Sequence, residues 1–183
     1  MLLSSNMEKE VLCKNILKDL NKSDVGVKVS QEIKGNYYSY INNCIYLNNK
    51  NSDTIKEKAK ENVVVAHECI HATQNKIVHI ANVILANLEL LLFLIFVVVL
   101  VAFQSIVVLK VTYITICTLS IICRCILELP AMINSFELAI KYANKDISEI
   151  IQKDKKKIKY LLPLGILSYT WFKLLRLILV VIL

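Results

Sequence analysis

The sequence predicts a small α+β domain followed by transmembrane helices, mostly α overall. Three observations lead there. First, 56% of the 183 residues are hydrophobic and 20% are charged, with a mean hydropathy of +0.53. That is too apolar for an ordinary soluble domain, so the apolar residues must be segregated into membrane spans. Second, the long apolar runs lie after residue 88, while the stretch before it mixes helix-period and strand-period patterns. Third, that first stretch ends in a helical run carrying His67-Glu68-Cys69-Ile70-His71. The predicted organisation is a domain over 1–88, a transmembrane hairpin over 89–130, a helix and basic cytoplasmic loop over 131–160, and a C-terminal transmembrane helix over 161–183.

Met7 to Asn21 reads as a helix with Val11, Leu12, Ile16, Leu17 and Leu20 on one face and Lys and Glu on the other. A polar break at Asn21–Gly26 precedes Val25, Val27 and Val29, whose alternation predicts a half-buried strand. Gly35-Asn36 begins a second break. Tyr38, Tyr40 and Ile41 give a weaker strand signal, and Cys44-Ile45-Tyr46-Leu47 a stronger one, with Asn42-Asn43 placed to turn a hairpin between them. Ser52 or Asp53 is placed to cap a helix beginning at Thr54, which leads into the histidine-bearing helix near Glu61. The strand near Tyr46 is a candidate exposed edge for a peptide to join, and equally an ordinary core strand.

On a helix, residues i and i+4 share a face one turn apart. Two imidazoles so placed can grip one metal ion, with Glu68 projecting beside it. This is the His-Glu-x-x-His arrangement of zinc hydrolases, which makes the domain zincin-like. The chain has three His in all, so two at this spacing around a Glu is unlike a chance match. In this chemistry zinc acidifies water, and the neighbouring carboxylate takes the proton as water attacks an amide carbonyl.

Leu90 to Leu109 has only Gln104 and Ser105 as polar members and is long enough to cross the hydrocarbon core. A reversal is required near Lys110, because one helix through Leu129 would be about 60 Å long, twice the bilayer's need. Val111 to Leu129 is the second span, ended or kinked by Pro130. Ala131 to Ala143 continues as helix with Met132, Phe136, Ala139 and Ala143 on one face. Lys145 to Lys159 is strongly basic, and Leu161 to Leu183 is a third apolar stretch interrupted by Lys173 and Arg176, facing protein or snorkelling.

The net charge is +7, of which +3 is concentrated in the 145–159 segment rather than spread over a broad surface, so it reads as membrane topology. With no aromatic-and-basic RNA motif beside it, no nucleic-acid partner is expected. Positive charge near the span ends predicts a multi-pass protein of the cell membrane with the metal site on the cytoplasmic side. The six Cys form no zinc ribbon and no Cys-x-x-Cys pair, so reduced thiols are expected. No short signal-peptide core follows Met1.

Hydrolytic zinc has three protein ligands as a rule. A third His six residues after His71 would define one class, but that position is Ile77. His79 falls about 80° around the helix and reads as an ordinary polar residue. Two acids remain. Glu128 ends a membrane span, where an ionisable group is costly and so a functional suspect; an i,i+4 pair with Arg124 explains it equally well. Glu137 reads as a solvated partner of Lys141.

Ala66-His67-Glu68-Cys69-Ile70-His71-Ala72-Thr73-Gln74 resembles the Ala-His-Glu-Val-Gly-His-Ala-Ile-Gln signature of the YugP-like neutral zinc metallopeptidases of bacterial membranes. Asp24-Val25-Gly26-Val27-Lys28-Val29, Cys44-Ile45-Tyr46-Leu47-Asn48, Leu129-Pro130-Ala131-Met132-Ile133-Asn134-Ser135 and the apolar run from Leu167 to Leu177 occupy the places of further family segments, in order. Members usually begin with a further membrane segment, which this sequence does not present. The resemblance implies an integral-membrane zinc metallopeptidase with His67 and His71 as metal ligands and Glu68 as general base. Its substrates would be peptides or membrane proteins. Two departures stand out. Ile70 replaces a Gly, and Met132 holds the place of the Glu that would be the third ligand. A thioether is a poor zinc ligand. Glu128, one turn earlier on the same face, is the candidate replacement. The alternatives are Glu137, or an inactive membrane scaffold that keeps a relic metal motif. Nothing in the sequence sets the oligomeric state.

Overall fold

The computed structural model describes the backbone over residues 2–49, 54–102 and 107–183, and side chains over 8–49, 54–100, 107–157 and 170–183. The elements run α1 (Leu2–Asp19), β1 (Gly26–Ser30), β2 (Tyr37–Ser39), β3 (Cys44–Asn48), α2 (Ile55–Thr73), α3 (Lys76–Ala102), α4 (Val107–Tyr142) and α5 (Lys145–Ile182). The fold is mostly helical with one small sheet. The chain divides into two compact units, 1–74 with 129–160, and 75–128 with 161–183.

In the first unit, β3 is the central strand. It pairs parallel with β1, Gly26 opposite Cys44 through Ser30 opposite Asn48, and antiparallel with β2, Tyr37 opposite Tyr46. The expected hairpin turn is present, and Asn43 takes the left-handed conformation at φ 46° that its short polar side chain tolerates. The strand near Tyr46 is not an exposed edge. β1 and β2 occupy both its sides, so the edges belong to them. Gly26 has no side chain for a reason: a Cβ there would stand 3.2 Å from the Cys44 sulfur.

Helix α1 buries Cys13, Ile16 and Leu17, with Leu12 and Leu20 packed alongside. Val11 is half exposed, contrary to its expected place on the apolar face. At 100° per residue the stripe through Ile16 and Leu20 passes through Cys13, and Val11 falls about 160° from Cys13, on the opposite side. Small residues on α2 receive this stripe: Ala59, Ala66, Cys69 and Ala72 are all buried, and the Cys13 and Cys69 sulfurs lie 3.5 Å apart. Both thiols are free, as are the other four cysteines. The hydrogen bond with Cys13, and then burial, push the Cys69 thiol well up, so it stays a neutral apolar group. Phe136 and Ala139 of α4 and Ile151 of α5 complete this core, and the expected apolar face of residues 131–143 thereby finds its use.

Three assignments differ from expectation. The first apolar helix starts at Lys76, well before Leu90, because Gln74 turns extended and the Asn75 side chain accepts from the Ile77 N–H at 2.8 Å, opening a new helix. Lys110 is inside α4 rather than at a reversal; Gln104 and Ser105 lie outside the described residues. Pro130 sits within α4, and the helix continues through it into the 131–143 stretch, one of the two outcomes expected of it. The basic 145–159 run is helix, not loop. Asn144 caps it by accepting from the Ile147 N–H at 3.0 Å, and Ile147, Ile150 and Ile151 give it an apolar face.

In the second unit the usual distribution is inverted. Glu89 and Ser120 are fully buried, while Val98 is 69% and Val108 81% exposed. A core of Phe96, Tyr113, Cys117 and Val180 holds the three helices together. Two helices, Lys76–Leu100 and Val107–Tyr142, are long and apolar enough to cross a membrane. Residues 158–169 lie outside the described side chains, so the third apolar stretch is described only as helix there.

Helix α2 begins at a capping box. Thr54 accepts from the Glu57 N–H at 3.2 Å, and Glu57 accepts from the Thr54 N–H at 3.2 Å. Thr54 is thus the cap and not the first helical residue; Ser52 and Asp53 lie outside the described residues. Thr54→Ala removes the side-chain acceptor of the Glu57 N–H, leaves the backbone bond to Glu57 in place, and should lower stability by about 0.5–2 kcal/mol, with Thr54→Ser close to wild type. Thermal unfolding followed by circular dichroism in detergent checks this.

Candidate metal centre

The regularity of α2 places both histidines on one face. Their Nε2 atoms are 3.0 Å apart, and the rings meet edge to face with centroids 4.6 Å apart. Two nitrogens bound to one tetrahedral zinc at about 2.05 Å stand about 3.3 Å apart. The observed pair is within a few tenths of an ångström of that spacing.

His71 is further oriented by Gln74, whose Oε1 lies 2.7 Å from His71 Nδ1. An amide oxygen only accepts, so Nδ1 carries the proton and the Nε2 lone pair is left facing His67. A metal-ligating histidine characteristically has such an acceptor on its other nitrogen. Gln74 is the C-cap of α2, and its own N–H donates to the His71 carbonyl at 3.2 Å. Its role was missed in the sequence; the i,i+3 spacing from His71 at the helix end was the available signal.

Glu68 is buried beside the pair. Its Oε2 accepts from the Tyr38 backbone N–H at 2.8 Å. Tyr38 stands on edge strand β2, and this N–H points away from β3. The motif carboxylate therefore caps the sheet edge, a contact with no trace in the sequence, since a backbone donor has no residue type.

Glu128 is on α4, immediately before Leu129, and is 5% exposed. His67, His71 and Glu128 each offer one ligand atom, all within 4.8 Å of one another, and the group could hold a metal ion. Two neutral imidazoles and one carboxylate are a suitable donor set for a divalent cation. The Arg124 guanidinium is 2.8 Å from Glu128 Oε1. The two sequence readings of Glu128, ligand candidate and Arg124 partner, are therefore compatible: one oxygen meets the guanidinium and the carboxylate still stands in the histidine cluster. Glu137 is elsewhere, exposed and paired with Lys155 at 2.8 Å. Its expected partner Lys141 instead bonds Asp19 of α1. The pairing followed which helix packs alongside, and spacing within one helix could not foresee it.

No protein-family model, curated protein or solved structure matches this chain.

Gln74→Ala should weaken metal binding about ten- to a hundredfold, the usual effect of losing the partner of a ligating histidine, while Gln74→Glu keeps an acceptor and most of the affinity. Competition with a chromogenic chelator measures both.

Proposed function

We propose that the protein is an integral-membrane zinc metallopeptidase of the kind its motif resembles. The observation that carries this reading is the clustering of His67, His71 and Glu128 around one point, with Glu68 next to it on the same helix. Zinc, when bound, supplies Lewis acidity and lowers the pKa of water to about 7. His67, His71 and Glu128 would hold the ion. Glu68 takes a proton from water at its carboxylate and passes it to the leaving amine. The Tyr38 N–H at the β2 edge fixes that carboxylate through Oε2. The two long apolar helices and the inverted second unit support membrane insertion. The substrates are then peptides or membrane proteins presented near the bilayer, with the site on the cytoplasmic side.

Zinc content per chain in detergent-purified protein tests the reading. One zinc per chain is expected, lost in His67→Ala and in Glu128→Ala and retained in Glu137→Ala. Loss in Glu137→Ala with retention in Glu128→Ala would transfer the third-ligand role. An empty wild-type protein after incubation with zinc would leave the scaffold reading in its place.

Glu68→Gln should keep its zinc and lose peptide hydrolysis by about 10²–10⁴-fold, the contribution of a positioned general base. Undiminished hydrolysis in that variant would remove Glu68 from the mechanism.

A further inference from the structure

On α4, Tyr113, Cys117, Ser120, Arg124 and Glu128 follow one another at helical spacings and form a polar stripe along an apolar helix. Two ion pairs in the same unit are closed. Arg176 of α5 grips Glu89 of α3 through two bonds, at 2.8 and 2.6 Å, and Tyr113 donates to the same carboxylate at 2.6 Å. Arg124 meets Glu128 at 2.8 Å. Lys110 stands at the Val107 end of the same stripe, and Lys173 of α5 is the cation that reaches its middle. Its ammonium donates to the Ser120 hydroxyl and forms no ion pair among the described residues.

The unit that holds Lys173 offers it no further acidic side chain. Between residues 69 and 136 the acids are Glu89 and Glu128, and none occurs after Asp154. A second copy brings the same two carboxylates, each already held by an arginine. In hydrocarbon a lone ammonium is expensive, and such groups pair with a counter-charge. Lys173 is partly exposed and sits between Phe172, which is 73% exposed, and the apolar face of α5. It can therefore be reached from the side of the helix.

We propose that Lys173 docks a transmembrane helix of another polypeptide, a substrate or a partner, through an aspartate or glutamate in that helix's apolar stretch. This rests on the membrane reading and not on the zinc site, and the test needs no metal.

The full-length protein is reconstituted in phosphatidylcholine vesicles with a fluorescent Leu-Ala helix of about twenty residues bearing one central Asp, beside an otherwise identical helix with Leu there. Energy transfer reports association. The Asp helix should associate about tenfold more tightly, the strong end of what one interhelical polar contact gives. Lys173→Gln should abolish the preference and Lys173→Arg should keep it. Equal binding of both helices, or an unchanged preference in Lys173→Gln, overturns the proposal. A preference that vanishes when phosphatidylglycerol is added overturns it in favour of a lipid phosphate. Release of the chain by alkaline carbonate would sink the membrane reading itself, whatever the zinc content.

Discussion

Two imidazoles one helical turn apart are the constraint on which the candidate site depends. Their 3.0 Å approach exists only while α2 is regular through residue 71. A helix of this length is marginal alone, so packing must keep it regular. The first unit supplies that packing from several directions. Ala66, Cys69 and Ala72 let α1 come close, and Lys9 of α1 bridges Glu61 of α2 at 2.7 Å and the Asn48 carbonyl at 3.3 Å. At its end, Gln74 closes the helix and orients His71 in one act. The small residues between and beside the histidines are thus as much part of the site as the histidines are. A bulky side chain at position 69 would push α1 away and tilt both rings.

The parts of this arrangement that could be read in the sequence are those in which periodicity and residue type agree. The histidine helix, the Val27–Val29 alternation and the Asn42-Asn43 turn all sit where local preference and burial point the same way. The parts that could not be read depend on partners distant in the chain. Glu137 has two lysines within plausible reach, and only the packing of α5 chooses Lys155 over Lys141. The basic 145–159 run has the charge of a solvated loop, which hides its helical period. Its isoleucines at 147, 150 and 151 carried the helical period all along. Likewise Lys110 looked like a breaker, yet one lysine on an exposed helix face breaks nothing, and α4 runs from Val107 to Tyr142.

The second unit follows a different rule from the first. In the first, polar side chains sit outside and hydrogen bonds to water are available, so Lys141 and Asp19 meet at the surface with little consequence. In the second, Glu89 is fully buried and meets three donor bonds from Arg176 and Tyr113. Arg176 also stacks near the Phe93 ring, 5.7 Å from its centroid, which leaves little of the guanidinium without a neighbour. Such a cluster is weak evidence for added stability, because the desolvation of three polar groups opposes the attraction. Its clearer effect is specificity. A sliding of α3 past α5 by one turn would strand a carboxylate and a guanidinium apart, so the register of three nearly featureless apolar helices is set by one glutamate.

That same argument bears on the third metal ligand. Helical spacing puts positions 128 and 132 on one face, one turn apart. A carboxylate at 132 would have position 128 as its i−4 neighbour. A carboxylate at 128 has Arg124 there. The guanidinium occupies one oxygen and balances the charge of a buried group that is 5% exposed. Arg124 thus gives the Glu128 carboxylate a fixed partner on its own helix, and the stripe on α4 that looked like a run of unrelated polar residues has an order to it. Ser120 and Tyr113 then bond the charged groups of the neighbouring helices.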